Sequence, residues 1–377
     1  MKPKYQPLFD TFSFRSGVQV KNRLVMAPMT TYSGNPDDTV SKGELTYYSR
    51  RAKGLGMVIT ACTYVTANGK GFPGEFAGDR DDMIPSLREL ATTIQSQGAK
   101  AILQIFHAGR MSPPELVPNG ETVSASAVAA EQAGAQTPRA LTDAEVKDIV
   151  KAFGETTRRA IEAGYDGVEL HGANGYLIHQ FFSPHSNRRE DHWGGSLEKR
   201  LNFPLAVVEE VKRVVAEHAK QPFLVGYRFS PEESETPGIT MADTLVLTDA
   251  LAGKGLDYLH VSLMDFWSTP RTVSAGSSET RLQLIMKQVN DRVPVIGVGS
   301  IHTPDEALKA LETGVPLLAL GRELIIEPEW VEKVAQGRES EIAVELSRND
   351  QARLEIPDPL WNAIMHTPGW FPIAEKV

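Results

Sequence analysis

The chain has 377 residues, 41% of them hydrophobic and 23% charged, with a formal net charge of −9. This length can bury a large core, and scattered Lys and Arg in a net-acidic chain argue against nucleic acid or an anionic membrane as partner. A single cysteine, Cys62, excludes an internal disulfide framework, a cysteine-ligated iron–sulfur cluster and a thiolate-rich zinc site.

The opening Met1-Lys2-Pro3-Lys4-Tyr5-Gln6-Pro7 lacks the apolar core of a signal peptide, and no apolar run approaches membrane-spanning length. The expectation is a cytoplasmic protein. Residues 12–14 and 18–20 read as a hairpin around Arg15-Ser16-Gly17, placed to cover the floor of a barrel. Eight short apolar runs then alternate with amphipathic stretches, at 22–28, 56–63, 100–107, 166–171, 222–230, 257–262, 294–299 and 317–321. Nearly continuous runs of this kind suit parallel strands covered on both faces. Thr142-x-x-Glu145 and Thr303-x-x-Glu306 are capping boxes, the second with Pro304 at the first helical position. Thr240-x-x-Asp243 is a weaker one, and Pro328 opens the last helix of the series.

Eight strand–helix pairs predict an α/β fold, a (β/α)8 TIM barrel, as one domain over 1–377 with its barrel core at about 22–337. Gly297-Val298-Gly299 comes late and lacks a third glycine at the right spacing, so no dinucleotide-binding fingerprint is present. The stretch 108–141, rich in Pro, Ala and Gly, reads as a long lid or specificity loop after the third strand. Residues 338–377 read as a charged helix followed by an irregular tail carrying Trp361, Trp370 and Phe371, folded onto this barrel or a neighbour's.

Catalytic groups in such a barrel project from the C-terminal strand ends. Those ends carry Pro28-Met29-Thr30, Ala61-Cys62, Gln104 to His107, His171, Arg228, Ser262, Gly299-Ser300 and Gly321-Arg322. No lysine stands among them for a Schiff-base aldolase, no His-x-His or carboxylate cluster for a metal-dependent hydrolase, and no carboxylate pair for glycoside hydrolysis. Gly299-Ser300 and Gly321-Arg322 look like a phosphate site, with bare N–H groups and a guanidinium; the alternative is chain-turning glycines and a surface ion pair. In Glu169-Leu170-His171-Gly172-Ala173-Asn174-Gly175-Tyr176, His and Asn can donate to one oxygen while Tyr delivers a proton; the alternative is a loop that caps the next helix. Glu169 with His171, and Leu224 with Gly226 and Arg228, share faces of adjacent strands. If those faces point inward, Glu169 and Arg228 should interact directly or through water, because a lone buried charge is costly. Cys62 reads as a small core residue, His107 as a support for the barrel mouth or the Arg110 loop, and Trp267 as either pocket wall or packing.

Taken together these segments resemble the Old Yellow Enzyme family of flavin-dependent ene-reductases, which are FMN-binding (β/α)8 barrels. The resemblance runs through Asn22-Arg23-Leu24-Val25-Met26-Ala27-Pro28-Met29-Thr30, Gln104-x-x-His107-Ala108-Gly109-Arg110 and the His171 segment. It continues in Gln180-Phe181-Phe182-Ser183-Pro184, Asn187-Arg188-Arg189, Trp193-Gly194-Gly195-Ser196, Arg228 and Gly321-Arg322-Glu323. It implies bound FMN, with Pro28, Met29 and Ala61 at the flavin ring, Thr30 and Gln104 at its polar edge, and Arg228 near N1. Val298, Gly299, Ser300, Gly321 and Arg322 would hold ribityl and phosphate. Tyr32, His171, Asn174, Tyr176 and Trp267 would meet the substrate. The implied reaction is ping-pong: hydride passes from NAD(P)H through flavin N5 to the β-carbon of an enone, enal or nitroalkene, with Tyr176 as proton donor. Thr30 stands where one bacterial branch often carries a redox-tuning cysteine, and Asn174 where many relatives carry histidine. Larger relatives that reduce dienoyl-CoA add an iron–sulfur segment and a dinucleotide domain, which this chain has neither cysteines nor length to supply. Two other readings stay open: a non-redox phosphate-binding isomerase or lyase, and a protein that binds FMN without catalysis. The expected partners are a nicotinamide and a small electron-poor alkene, with a homo-oligomer left open.

Overall fold

A computed structural model describes residues 1–272 and 278–374 of the chain. Eight parallel strands close on themselves: β1 (Leu24–Met26), β2 (Met57–Ile59), β3 (Lys100–Phe106), β4 (Gly167–Gly172), β5 (Leu224–Phe229), β6 (Tyr258–Val261), β7 (Val295–Val298) and β8 (Leu317–Leu320). Each pairs with the next, and β8 pairs back onto β1 through Leu318↔Leu24 and Leu320↔Met26. The predicted (β/α)8 barrel is therefore the observed fold. Helices α1 (Lys42–Ala52), α2 (Ile84–Ser96), α3 (Asp143–Ala163), α4 (Asn202–His218), α5 (Met241–Ala252), α6 (Arg281–Val289), α7 (Pro304–Leu311) and α8 (Trp330–Gln336) follow the strands in turn.

Local chemistry accounts for where these helices start. Thr142, Thr240 and Thr303 each accept from the backbone N–H three residues on, and Glu145, Asp243 and Glu306 accept reciprocally from the cap N–H groups. Thr280 and Gln283 form a fourth box, at the start of α6. The left-handed Gly164 (φ 89°) closes α3, a conformation open to glycine at little cost.

Alternation within the strands divides two buried layers. Outward residues such as Met26, Val58, Leu103, Leu170, Tyr227, Leu259 and Leu320 pack with the helices. Inward residues Val25, Met57, Ile102, Leu224, Tyr258, Ile296 and Leu317 fill the barrel together with Phe14, Val18 and Val20. A Cβ on Gly226 would lie 2.1 Å from the Tyr258 ring, so the absent side chain makes room for that ring to cross the interior. The Phe14 ring, 6.1 Å from that of Tyr258, brings the N-terminal hairpin against the barrel floor. Its strands are Phe12–Ser13 and Gln19–Val20, joined by Phe12↔Val20 pairing.

Two expectations need correction. The run at 56–63 is not one strand: β2 ends at Ile59, the Ala61 N–H donates to the Tyr48 hydroxyl (2.7 Å), and Thr63–Tyr64 pairs separately with Ile105 and Phe106. After residue 338 the charged segment forms only a short 3-10 turn, Glu339–Glu341, while Trp361 lies in a helix, Asp358–His366. Leu346 and Ile373 form a bridge within the tail, and Arg51 Nη2 donates to the Leu354 carbonyl (2.8 Å) and Arg322 Nη1 to the Trp370 carbonyl (3.0 Å), so the tail lies on its own barrel; residues 375–377 fall outside the described residues. Among the described residues no helix is long and apolar enough to cross a membrane.

Candidate active site

A cavity of about 640 Å³ opens at the C-terminal strand ends. Pro28, Met29, Thr30, Tyr32, Asn174, Tyr176, Arg228, Val298, Gly299, Ser300, Gly321 and Arg322 all line it. Of the remaining sequence-predicted residues, Ala61 and Gln104 are buried and do not line it, and His171 lies against Tyr176, their ring centroids 5.0 Å apart. Trp267 does not line the cavity; it packs on Phe266 and under the Lys309 ammonium, 4.7 Å from its ring.

One end of the cavity is a cradle for an oxyanion. Gly299 has φ 138°, and a Cβ there would meet the Phe266 nitrogen at 2.4 Å, so only glycine fits. Arg322 is held from two sides: Nη2 donates to Ser300 Oγ (2.7 Å) and Nη1 to the Trp370 carbonyl (3.0 Å). Trp370 itself reaches the cavity. Bare backbone at Gly299 and Gly321 beside a braced guanidinium suits a phosphate.

A second cation, Arg228, lines the same cavity. Arg228 is only 9% exposed, and its Nε is buried without a hydrogen-bond partner. Glu169 and Arg228 interact by charge, as expected, but no direct hydrogen bond joins them among the described residues. Glu169 is engaged instead by His260 Nδ1 (2.9 Å) and Gln104 Nε2 (2.8 Å). Desolvation pushes the Glu169 carboxyl up, but His260, Arg228 and Gln104 outweigh it and hold it below the usual carboxylate range. Burial lowers His260, so a neutral imidazole donates to an ionised carboxylate whose charge answers Arg228 across the interior. The guanidinium is thereby left to a ligand, and an anionic or electron-rich edge fits it.

Two groups of the His171 segment, Asn174 and Tyr176, line the cavity, and His171 packs against the Tyr176 ring. His171 Nδ1 accepts from the Ala173 N–H (3.3 Å), which assigns the ring proton to Nε2 and makes that nitrogen a donor. Burial and then Arg228 press its pKa well down, so the ring is neutral. Asn174 (φ 59°) sits at the turn after β4. The Tyr176 ring is wedged between Phe72, Phe106 and His171, and burial pushes its phenol up, so it stays protonated at neutral pH. Two neutral donors and a protonated phenol beside one cavity can polarise an oxygen and deliver a proton next to it.

The supporting residues hold the wall in place. Gly109 N–H donates to His107 Nδ1 (2.9 Å), and burial lowers His107 to about 3, a structural neutral histidine. Arg110 Nη1 donates to the carbonyls of Val128 and Ala129 (both 3.0 Å), pinning one limb of the 108–141 segment. Cys62 is buried, and burial raises its thiol well above the usual range, so it remains a thiol. Among the described residues no cluster of three or more His, Cys, Asp or Glu could hold a metal. Sequence reasoning missed His260 and Ser230, and it named Ser262 only as a strand end and Trp370 only as part of the aromatic tail.

The sequence pattern of the NADH:flavin oxidoreductase / NADH oxidase family matches residues 7–341. The chain is 55% identical over 372 residues to a probable NADH-dependent flavin oxidoreductase of Bacillus subtilis, covering 99% of both proteins. It is 44% identical to an NADH:acrylate oxidoreductase of Vibrio harveyi, over 94% of this chain but only 35% of that protein. Among solved structures, morphinone reductase in complex with tetrahydroNAD aligns with a TM-score of 0.73 at 28% identity, covering 88% of this chain and 91% of that one.

Proposed function

The chain belongs to the NADH:flavin oxidoreductase / NADH oxidase family, and on that premise we propose that this FMN-dependent enzyme reduces electron-poor alkenes such as enones, enals and nitroalkenes with a nicotinamide donor. The observation that carries this reading is one cavity lined by Arg228, whose buried Nε has no hydrogen-bond partner, by the Arg322–Ser300 cradle and by Tyr176. When bound, FMN supplies the two-electron exchange that takes hydride from NAD(P)H and passes it to the alkene β-carbon.

The residues present fit that group. Arg322 and Ser300, with the backbone at Gly299 and Gly321, would hold the phosphate, and Val298 the ribityl chain. Arg228 would stabilise negative charge on the ring, Thr30 and Gln104 would serve its polar edge, and Pro28, Met29 and Ala61 its apolar face. His171 Nε2 and the Asn174 amide donate to the activating oxygen of the alkene, where enolate charge grows in the transition state. Tyr176 gives its phenolic proton to the α-carbon and recovers one from water. The product gains one hydride and one proton, which balances the double bond lost.

Donor and acceptor use the same cavity in turn. NADH is the favoured nicotinamide, the donor named for the probable oxidoreductase of Bacillus subtilis.

The test is an anaerobic titration of the purified protein. The expected result is a yellow protein with tightly held FMN that NADH bleaches and 2-cyclohexenone recolours. A colourless protein that takes up no FMN, or one recoloured by oxygen but by no activated alkene, overturns the reading.

A further inference from the structure

Asn174 is gripped by two serines from neighbouring strands. Its backbone N–H donates to Ser230 Oγ (2.9 Å), and the same hydroxyl donates back to Asn174 Oδ1 (3.2 Å). Ser262 Oγ donates to that Oδ1 as well, at 2.9 Å. A carbonyl oxygen has two lone pairs, and two hydroxyl protons occupy them. The Nδ2 amino group is left as the free end of the side chain, with donors only.

The barrel register sets this arrangement. Gly172 pairs with Phe229 and Phe229 with Val261, so β4, β5 and β6 end level with one another. Ser230 and Ser262 are each the first residue past their strand, and the Ser262 N–H donates to the Phe229 carbonyl (2.8 Å). The hydroxyls therefore stand on rigid elements rather than on mobile loops. Turning the amide over would set Nδ2 against two hydroxyl oxygens, one of which already accepts from the Asn174 N–H, leave both hydroxyl protons without this acceptor, and present a carbonyl oxygen to the ligand.

We propose that Ser230 and Ser262 are positioning residues that lock the Asn174 amide as a hydrogen-bond donor and so restrict the site to ligands bearing an acceptor oxygen. The proposal rests on the reading of Asn174 as an oxygen ligand. A histidine at this position could not be held the same way, because its ring offers at most one acceptor nitrogen. The serine pair thus goes with asparagine, and it fixes by hydrogen bonding what a ring would fix by shape.

The test uses FMN-loaded enzyme and cyclohexanone, which carries the acceptor oxygen without a reducible alkene, with binding followed by the flavin absorbance change and by competition against 2-cyclohexenone. Ser262→Ala should raise the cyclohexanone Kd about threefold, and Ser230→Ala/Ser262→Ala about tenfold, with FMN content unchanged. Ser262→Thr keeps a hydroxyl and should restore the Kd to within about twofold of the parent. A double variant that keeps the parent Kd while Asn174→Ala weakens binding overturns the clamp but not the role of Asn174. If Asn174→Ala also leaves the Kd unchanged, the oxygen-ligand reading fails and the clamp with it. Loss of binding in Ser262→Thr equal to that in Ser262→Ala likewise counts against the hydroxyl.

Discussion

Oε2 of Glu169 lies 2.9 Å from Nδ1 of His260, both side chains fully buried at the centre of the barrel. The pair joins β4 to β6 across β5, so its two members flank the strand that carries Arg228. It leaves that arginine balanced in charge yet free of a protein hydrogen bond at Nε.

Removing the carboxylate should expose the cost of that arrangement. Glu169→Leu leaves Arg228 without its counter-charge and Gln104 without its acceptor, and should destabilise the fold by roughly 3–5 kcal/mol. Urea unfolding with FMN held in constant excess checks it. A loss no larger than that of an ordinary surface substitution would show that Arg228 needs no internal partner.

Tyr176→Phe separates the two half-reactions. Alkene reduction should fall by about 100-fold or more, because the proton to the α-carbon is lost, while bleaching of the flavin by NADH stays within a few fold. Stopped-flow absorbance measures each half separately. Equal losses in both would remove Tyr176 from the role of proton donor.

Arg322→Ala should weaken FMN binding by roughly 10- to 100-fold, the worth of charge-assisted hydrogen bonds to a phosphate. Fluorescence titration of the stripped protein reads this directly. Riboflavin, which lacks the phosphate, should bind the parent and the variant alike.

Glu44 makes stability depend on pH. Its carboxyl accepts from Thr31 at one oxygen, its other oxygen is buried without a partner, and burial raises it to about 7 from 4.5. The folded state thus holds a proton that the unfolded chain releases, so stability is fully present below about pH 4.5 and is lost as pH rises through about 7. The limb amounts to something on the order of 3 kcal/mol. Glu44→Gln should flatten it in urea melts taken at acid and neutral pH, and an unaltered slope would assign the dependence to other groups.

What could be read from the sequence was what neighbouring residues determine. The capping boxes at Thr142, Thr240 and Thr303 act over three residues, and all three stand where the spacing placed them. Gly299-Ser300 and Gly321-Arg322 could be paired because they stand at successive strand ends, and the Arg322–Ser300 hydrogen bond joins them. His260 was not legible: it sits in an apolar run, and its partner is 91 residues away. Ser262 stood visibly at a strand end, but the meaning of its hydroxyl depends on Asn174, 88 residues earlier, and on three strands ending level. The break after Ile59 was hidden because Thr60-Ala61-Cys62 is apolar enough to continue a strand, and only the Tyr48 hydroxyl reveals that the Ala61 N–H is spent elsewhere. Trp370 reached the cavity wall through an Arg322 contact spanning 48 residues, which no local pattern encodes.

The hairpin packed under the barrel completes the apolar layer that closes the floor beneath the cavity. On the proposed ping-pong reading, donor and acceptor then compete for the one space above that floor. Turnover should peak and decline as one reactant climbs at a fixed level of the other, and a rate that only saturates would show that the two do not share it.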